Sequence, residues 1–196
     1  MSVPRSEDAT YRFLVWTALA GGLVLFGYLI YDHYAHFGPG DVKYIDANNL
    51  FMDGEYEHAA TFYNDALRQN PRHVFALRGL ANAYTQMKRF DEALTAIAAV
   101  IRLEPENACN YATEGVIYDR SGRHEKAMAD YQRAVDGCPA ATKGMHWLDR
   151  LLYNVHERPP TVADRLAYLK AQMRLPAGER VLSVPEVDEQ QRPYKR

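Results

Sequence analysis

The sequence has little that points to catalysis or to a disulfide-rich scaffold. Only two of its 196 residues are cysteines, and no Cys-x-x-Cys motif occurs. The sequence also lacks the motifs of a nucleophile elbow, a phosphate-binding loop and a zinc site. We therefore expect a protein that is not an enzyme and that carries no cofactor and no metal.

Charge of one sign is not in excess either. Lysine and arginine total 23 and the acidic residues total 25, which gives a formal net charge of −2. This balance argues against a nucleic-acid partner, because such partners select for basic surfaces. The apolar fraction of 47% indicates a folded chain, and the length allows one domain with appendages.

A long uncharged run stands near the N-terminus, after a short N-terminal segment (residues 1–12). It reads FLVWTALAGGLVLFGYLIY and covers Phe13–Tyr31. As a helix it is about 28 Å long, close to the hydrocarbon thickness of a bilayer. Trp16 at one end and Tyr28 at the other resemble an interfacial aromatic belt. The run predicts a transmembrane anchor at residues 13–31 in contact with lipid; a cleaved signal peptide and a buried core helix stay open as alternatives.

The charges that flank this run predict an orientation. Arg5 and Arg12 precede it, and the first basic residue after it is Lys43. Under the positive-inside tendency the N-terminus is cytoplasmic and the rest is periplasmic, at a bacterial inner membrane. Ala18 and Gly22 form a small-xxx-small pair, which predicts a contact with another membrane helix.

A repeated pattern follows a linker at residues 32–40, which ends in the helix-breaking sequence FGPGD. Prolines recur at equal spacing at Pro71, Pro105 and Pro139. Other positions repeat with the same period: small residues at Ala47, Ala81 and Gly115; alanine at Ala59, Ala93 and Ala127; large residues at Tyr63, Ile97 and Tyr131; and Gly54, Lys88 and Gly122 at a turn. A period of about 34 residues predicts helical hairpins that stack and cover one another's apolar faces.

The pattern resembles the tetratricopeptide repeat family over residues 41–139, in three copies. The resemblance implies an all-α solenoid that binds other proteins along a concave face, formed by the first helix of each pair. Members that bind chaperone C-terminal peptides hold the carboxylate with five Lys, Asn and Arg side chains. Of those five positions this sequence keeps only Asn48, so such a clamp is not expected. The groove predicted here to bind an extended peptide or a partner helix has these residues: Tyr44, Asn48, Phe75, Arg78, Asn82, Arg120 and Arg150.

The repeat register fades after Pro139. Residues 140–175 predict a degenerate helix pair that caps the solenoid, with one helix starting near Thr142 and the other opening in a capping box at Thr161 and Asp164. The tail at residues 176–196 is predicted to be extended or disordered. Its apolar residues Val181, Leu182 and Val184 offer the alternative of docking on a partner or on the solenoid.

The cysteines and two histidines leave alternatives open. In a repeat hairpin, Cys109 and Cys138 lie close enough for a disulfide, but two free buried thiols are the slightly favoured alternative. A disulfide would support the periplasmic orientation. His33 and His36 share a helical face and could ligate a metal, although no other ligand stands at a useful spacing, so interfacial polar side chains are expected.

Together these features predict a membrane-anchored scaffold that assembles a membrane protein complex or serves as its accessory subunit. The alternative is an adaptor on the cytoplasmic face that recruits a client protein. The sequence names neither the partner nor the organism.

Overall fold

The computed structural model of the chain describes residues 5–35, 37–144 and 159–183. In these residues all regular structure is helical. The helices, numbered here in chain order, are α1 (Arg5–Ala35), α2 (Asp41–Met52), α3 (Tyr56–Gln69), α4 (Val74–Gln86), α5 (Phe90–Leu103), α6 (Cys109–Arg120), α7 (His124–Gly137), α8 (Ala140–Lys143) and α9 (Val162–Gln172), followed by a 3₁₀ turn at Ala177–Glu179.

Helix α1 is longer than the uncharged run at residues 13–31. Its apolar part spans the 24 residues Ala9–Asp32, with a mean hydropathy of 2.1. No residue in that part is buried against the rest of the described chain. The helix is long enough and apolar enough to cross a membrane, and a signal sequence meets the same criterion. The first residues of the predicted linker, 32–35, belong to the helix instead.

Helices α2 to α7 form three antiparallel hairpins, as the period of the sequence predicts. Within each hairpin the two helices contact each other, and α3 and α5 contact the first helix of the next hairpin. The repeated alanines are fully buried where the helices cross, and the large residues Tyr63, Ile97 and Tyr131 are buried beside them. Because each hairpin buries its open face against the next, residues from α2 through α6 share one continuous core.

Two glycines mark the closest approaches between helices. A Cβ atom on Gly115 would lie 2.6 Å from the Tyr131 ring, and one on Gly79 would lie 2.4 Å from the Tyr63 ring. Both distances are below any ordinary van der Waals contact. Tyr131 on α7 and Tyr63 on α3 therefore each require a glycine opposite the ring.

Polar bonds tie the first repeat to the second. His73 is buried, its Nδ1 accepts from the backbone N–H of Ala76 at the start of α4, and its Nε2 lies 2.8 Å from Asp41 Oδ1. Since Nδ1 is an acceptor, the proton is on Nε2 and is donated to Asp41. The side-chain oxygen of Gln69 accepts from the N–H of Gly40 as well, so the point where the chain enters the solenoid is fixed.

The C-terminal part differs from expectation at one point and agrees with it at another. The helix predicted to start near Thr142 is interrupted, because α8 ends at Lys143 and Gly144 takes a left-handed φ of 64°. The residues that would continue it, from Met145 to Val155, lie outside the described part of the chain. The predicted capping box is confirmed: Thr161 accepts from the Asp164 N–H, and the Asp164 carboxylate accepts from the Thr161 N–H.

Candidate peptide-binding groove

The first helices of the three hairpins form one wall of the solenoid. Helix α2 contacts α4, and α4 contacts α6. Six of the seven predicted groove residues lie on these helices, and the seventh, Arg150, lies outside the described residues. The wall combines aromatic rings in the first two repeats with an amide or arginine side chain in each of the three.

Aromatic rings form the N-terminal end of the groove. The Tyr44 ring centroid lies 5.2 Å from that of His73, 6.0 Å from Phe75 and 6.2 Å from Tyr63. Phe75 keeps 48% of its surface exposed although it begins a helix inside the solenoid. An exposed phenylalanine held among other rings can anchor an apolar side chain of a partner without first having to be ordered.

Asn48 is positioned by the second helix of its own repeat. Its Oδ1 accepts a 2.6 Å hydrogen bond from the hydroxyl of Tyr63, whose pKa is raised by burial and by the nearby Tyr44. The hydroxyl therefore stays protonated and remains a donor. Asn82, one repeat further on, is half-buried at the equivalent position. Two amides in the same register of successive repeats suit hydrogen bonds to an extended backbone.

Arg78 joins the second repeat to the third. Its guanidinium donates to Asn110 Oδ1 at 3.0 Å and lies 3.3 Å from Glu104 Oε2. Hydrogen bonds from Asn107 and Asn110, together with the Arg78 charge, lower the pKa of Glu104 despite its partial burial. A carboxylate that stays ionised keeps the guanidinium in place.

Arg120 has a similar role one repeat later. It donates to Gln86 Oε1 at 3.1 Å, which links α6 to α4. Arg78 and Arg120 were predicted as groove residues that contact the partner, and in the structure both guanidinium groups already have acceptors within the solenoid. Their geometry is that of residues that position the groove.

The five positions of the chaperone-type carboxylate clamp cannot form that clamp here. Tyr44 is packed among rings, Gly79 faces the Tyr63 ring with no space for a side chain, and Cys109 is bonded to Cys138. Thr113 supplies no charge at the fifth position. The groove therefore lacks the cationic pocket that a C-terminal carboxylate requires.

The two cysteines form a disulfide in the structure. Cys109 opens α6 and Cys138 follows α7, with their Cα atoms 5.0 Å apart and a separation of 29 positions in sequence. The bond closes the third hairpin at its open end. In the chain-entropy description a loop of this length stabilises the fold by about 3–4 kcal/mol.

A buried ionic cluster, which no sequence pattern predicts, joins the third hairpin to α9. Asp119 receives hydrogen bonds from Arg165 Nε at 2.7 Å and from Tyr131 at 3.2 Å, and it lies 3.0 Å from His124 Nδ1. Asp119 and Arg165 are 5% and 4% exposed. Neither has a local sequence signal, because the partners are 46 residues apart and meet only in the fold.

The segment after α9 is also ordered where the structure describes it. Residues 176–183 were predicted to be extended or disordered, with docking as the alternative, and docking is what residues 180–183 do. The Val181 carbonyl accepts from the Tyr168 hydroxyl at 2.7 Å, and the Leu182 carbonyl accepts from Arg165 at 2.8 Å. Leu182 packs against a cluster that includes Leu166 and Leu169. The remaining tail, with Val184, lies outside the described residues.

The attachment of this segment is marginal in free energy. Its three hydrogen bonds to side chains of α9 contribute about 2.5–6 kcal/mol together, the bond from Arg180 to the Leu175 carbonyl adds about 1 kcal/mol, and half-burying one leucine adds about 1 kcal/mol. Ordering four residues of backbone costs about 4–8 kcal/mol. The two sums nearly cancel, so the docked and released forms are close in free energy.

The predicted contacts of α1 remain without a partner in the part of the chain that the structure describes. Ala18 is exposed, and nothing lies within 4 Å of where a Cβ atom on Gly22 would stand. The side chain of His33 and all of His36 lie outside the described residues. Among the described residues, no group of three or more potential ligands could hold a metal ion.

Comparisons with known proteins agree on the repeats. Tetratricopeptide repeat models match residues 50–112 and 110–139. The chain is 26% identical over 141 residues to Hsp70-Hsp90 organizing protein 3 of Arabidopsis thaliana, which covers 70% of this chain and 25% of the relative. It is 31% identical over 85 residues to the Hsp70-Hsp90 organizing protein of Triticum aestivum, covering 43% of this chain and 15% of the relative. The chain thus spans a quarter or less of the length of these relatives.

A solved structure shows the same fold. The first repeat domain of Spaghetti (RPAP3), described as bound to an HSP90 peptide, superposes with a TM-score of 0.56 at 18% identity, covering 70% of this chain and 94% of that chain. Identity this low establishes the shared architecture alone. The sequence models match residues 50–139, which hold the end of α2 and all of α3 to α7, and these residues are therefore tetratricopeptide repeats.

Proposed function

We propose that this protein is a membrane-anchored scaffold that binds protein segments through the groove of α2, α4 and α6. Its role would be in assembling a membrane protein complex, or as an accessory subunit of one. The observation that carries the proposal is the pairing of an interaction domain with an unburied apolar helix of span length. Attachment to the bilayer raises the effective concentration of the groove near other membrane proteins.

The repeats supply the interaction part of this proposal. The relatives are named as organising proteins for Hsp70 and Hsp90, but the clamp residues for a chaperone C-terminal peptide are missing here. The aromatic end at Tyr44 and Phe75 and the amides of Asn48 and Asn82 favour a different ligand. We expect an extended segment or helix that inserts an apolar side chain beside Phe75 and bonds through its backbone.

Two observations support a periplasmic location for the solenoid. The arginines before α1 favour a cytoplasmic N-terminus, and the disulfide at Cys109 and Cys138 favours an oxidising compartment. The second candidate is an adaptor on the cytoplasmic face, which the shape of the groove would serve equally well. An alkaline phosphatase fused to the C-terminus distinguishes the two, since it becomes active only outside the cytoplasm.

Carbonate extraction of membranes tests the anchor itself. We expect the full-length protein to stay in the pellet with its N-terminus intact. Release into the aqueous fraction, or an N-terminus trimmed beyond residue 31, would refute the anchored scaffold and support the cleaved-signal alternative.

Affinity purification in mild detergent tests the groove. A variant with Phe75→Glu and Asn82→Ala should lose its co-purifying membrane proteins, because both changes act on the groove wall. Arg102→Glu, at an exposed position near the end of α5, is the matched control and should retain them. If the groove variant retains all partners, the binding surface lies elsewhere on the molecule.

A further inference from the structure

One face of α9 binds a piece of extended chain through its backbone. Arg165, Tyr168 and Gln172 stand three and four residues apart, and therefore on one side of the helix. Arg165 donates to the Leu182 carbonyl at 2.8 Å and Tyr168 donates to the Val181 carbonyl at 2.7 Å. The Gln172 side-chain oxygen accepts from the Val181 N–H at 2.8 Å. Bonds of this type do not depend on which side chains the bound segment carries.

Successive side chains of the bound segment point alternately toward α9 and toward solvent. Leu182 is half-buried against the cluster formed by α7 and α9, which contains Tyr131, Leu166 and Leu169. Val181 points outward and is 55% exposed. The face thus has one apolar position and fixed donors for two successive carbonyls, which is how proteins recognise an extended peptide.

We propose that this face of α9 is a second protein-binding site, and that residues 180–183 occupy it as an internal ligand that a partner displaces. The ligand it takes is an extended segment with one leucine-sized aliphatic side chain. The site makes no demand for an acidic ligand, because Asp119 already neutralises Arg165. Displacement is feasible because the contacts of the segment and the cost of ordering it nearly cancel.

This site is separate from the groove of α2, α4 and α6, so the two proposals can fail independently. The internal segment is tethered to α9 at an effective concentration on the order of millimolar. A free peptide at lower concentration therefore competes poorly with it, whereas a partner that makes additional contacts displaces it. Removing the internal ligand should expose the site to a free peptide.

The test uses the full chain in mild detergent and a synthetic peptide of residues 177–183, observed by saturation-transfer NMR. The variant Leu182→Asp should release the internal segment, because a charged side chain does not fit the apolar position. Since the docked and released forms of the unchanged chain are close in free energy, the variant should bind the peptide with an apparent Kd about two- to fivefold tighter. Val181→Asp adds the same charge one residue away at an exposed position, and it should behave like the unchanged chain.

A second change identifies the binding face. Tyr168→Phe in the Leu182→Asp background keeps the ring and removes the donor, so it should weaken peptide binding about three- to tenfold. Circular dichroism of each variant verifies that the helices persist. The proposal is overturned if folded Leu182→Asp protein binds no peptide, if the unchanged chain binds it equally well, or if Tyr168→Phe has no effect.

Discussion

At the scale of single residues, the turn inside each hairpin depends on one left-handed backbone position. Gly54, Lys88 and Gly122 occupy it with φ values of 85°, 60° and 77°. Glycine adopts this conformation without cost, whereas a residue with a Cβ atom loses about 1–2 kcal/mol. The second repeat therefore retains a local strain that the first and third avoid.

Lys88→Gly should stabilise the protein. We expect an increase of about 0.5–1 kcal/mol in the free energy of unfolding, because relief of the strain exceeds the added freedom of glycine in the unfolded chain. Thermal unfolding followed by circular dichroism measures it. The reciprocal change, Gly122→Lys, should lower stability by a similar amount, and an unchanged melting temperature in both variants would contradict the argument.

A pair of acids in the third hairpin gives stability a pH dependence. Burial, and then the nearby Asp130, raise the pKa of Glu114, and burial raises the pKa of Asp130 although Arg133 opposes it. A carboxyl whose pKa is higher in the folded state binds more protons there than in the unfolded state. Stability therefore falls as pH rises from the ordinary carboxyl range through the raised pKa values, and the loss persists at neutral pH.

Glu114→Gln removes this penalty and should raise the melting temperature at pH 7. The gain should shrink to nothing as the pH is lowered to about 4, where the unfolded carboxyl also becomes protonated. Urea unfolding at a series of pH values measures the difference. Glu125→Gln, at an exposed position on α7, controls for the loss of one negative charge and should show no comparable gain.

Sequence predicted the residues with a local or periodic signal and missed those that meet across the fold. The prolines, alanines and turn residues recur once in every repeat, and the capping box is visible over a few consecutive residues. Arg78 and Arg120 could be assigned to the first helices, but their acceptors on neighbouring repeats could not. Hydrogen bonds between repeats depend on side-chain reach, which periodicity does not encode.

At the scale of elements, α9 is held to the repeats by a polar cluster. Arg165 forms a bidentate pair with Asp119, and Lys170 donates to Gln132 on α7. The attachment of α9 thus adds a buried ion pair to the apolar packing of Leu166 and Leu169 against α7. Removing one partner of a buried ion pair lowers stability, because the remaining charge stays buried without a counterion.

Arg165→Ala should destabilise the protein by about 3–5 kcal/mol, since Asp119 is left buried without its cation. Chemical denaturation of the full chain measures the loss. The paired replacement Arg165→Met with Asp119→Leu should lose less than the single change, because no charge remains. If the single variant unfolds at the same denaturant concentration as the parent protein, the pair is not coupled to folding.

Elements were predictable where the apolar pattern is long and regular. Hairpins α2–α3, α4–α5 and α6–α7 follow from the period, and α1 follows from its composition. The break at Gly144 was missed, because an isolated glycine in a helical pattern is usually tolerated. The docking of Leu182 remained one of two alternatives, because its binding face on α9 is assembled only after folding.

At the scale of the whole molecule, the disulfide connects stability with compartment. The bond at Cys109 and Cys138 closes the third hairpin and contributes to stability only where thiols are oxidised. Repeat arrays are approximately sums of hairpins and their interfaces, so a loss at the third hairpin also weakens the attachment of α9.

Cys109→Ala with Cys138→Ala should lower the free energy of unfolding by about 3–4 kcal/mol. Alanine is chosen because Cys138 is buried and a serine hydroxyl would add a separate cost. Reductant should reproduce the loss in the parent protein and leave the double variant unchanged. Free thiols in the natively purified, non-reduced protein, detected by alkylation and mass spectrometry, would contradict the expectation.

The same covalent link determines how far the polypeptide can be stretched. Between its two sulfur atoms lie 29 residue steps, which would extend to roughly 100 Å if the bond were absent. When the two ends of the molecule are pulled in an optical trap, the disulfide prevents the residues between Cys109 and Cys138 from extending at any force that leaves the bond intact. Adding a reducing agent would release their contour length as one discrete increment.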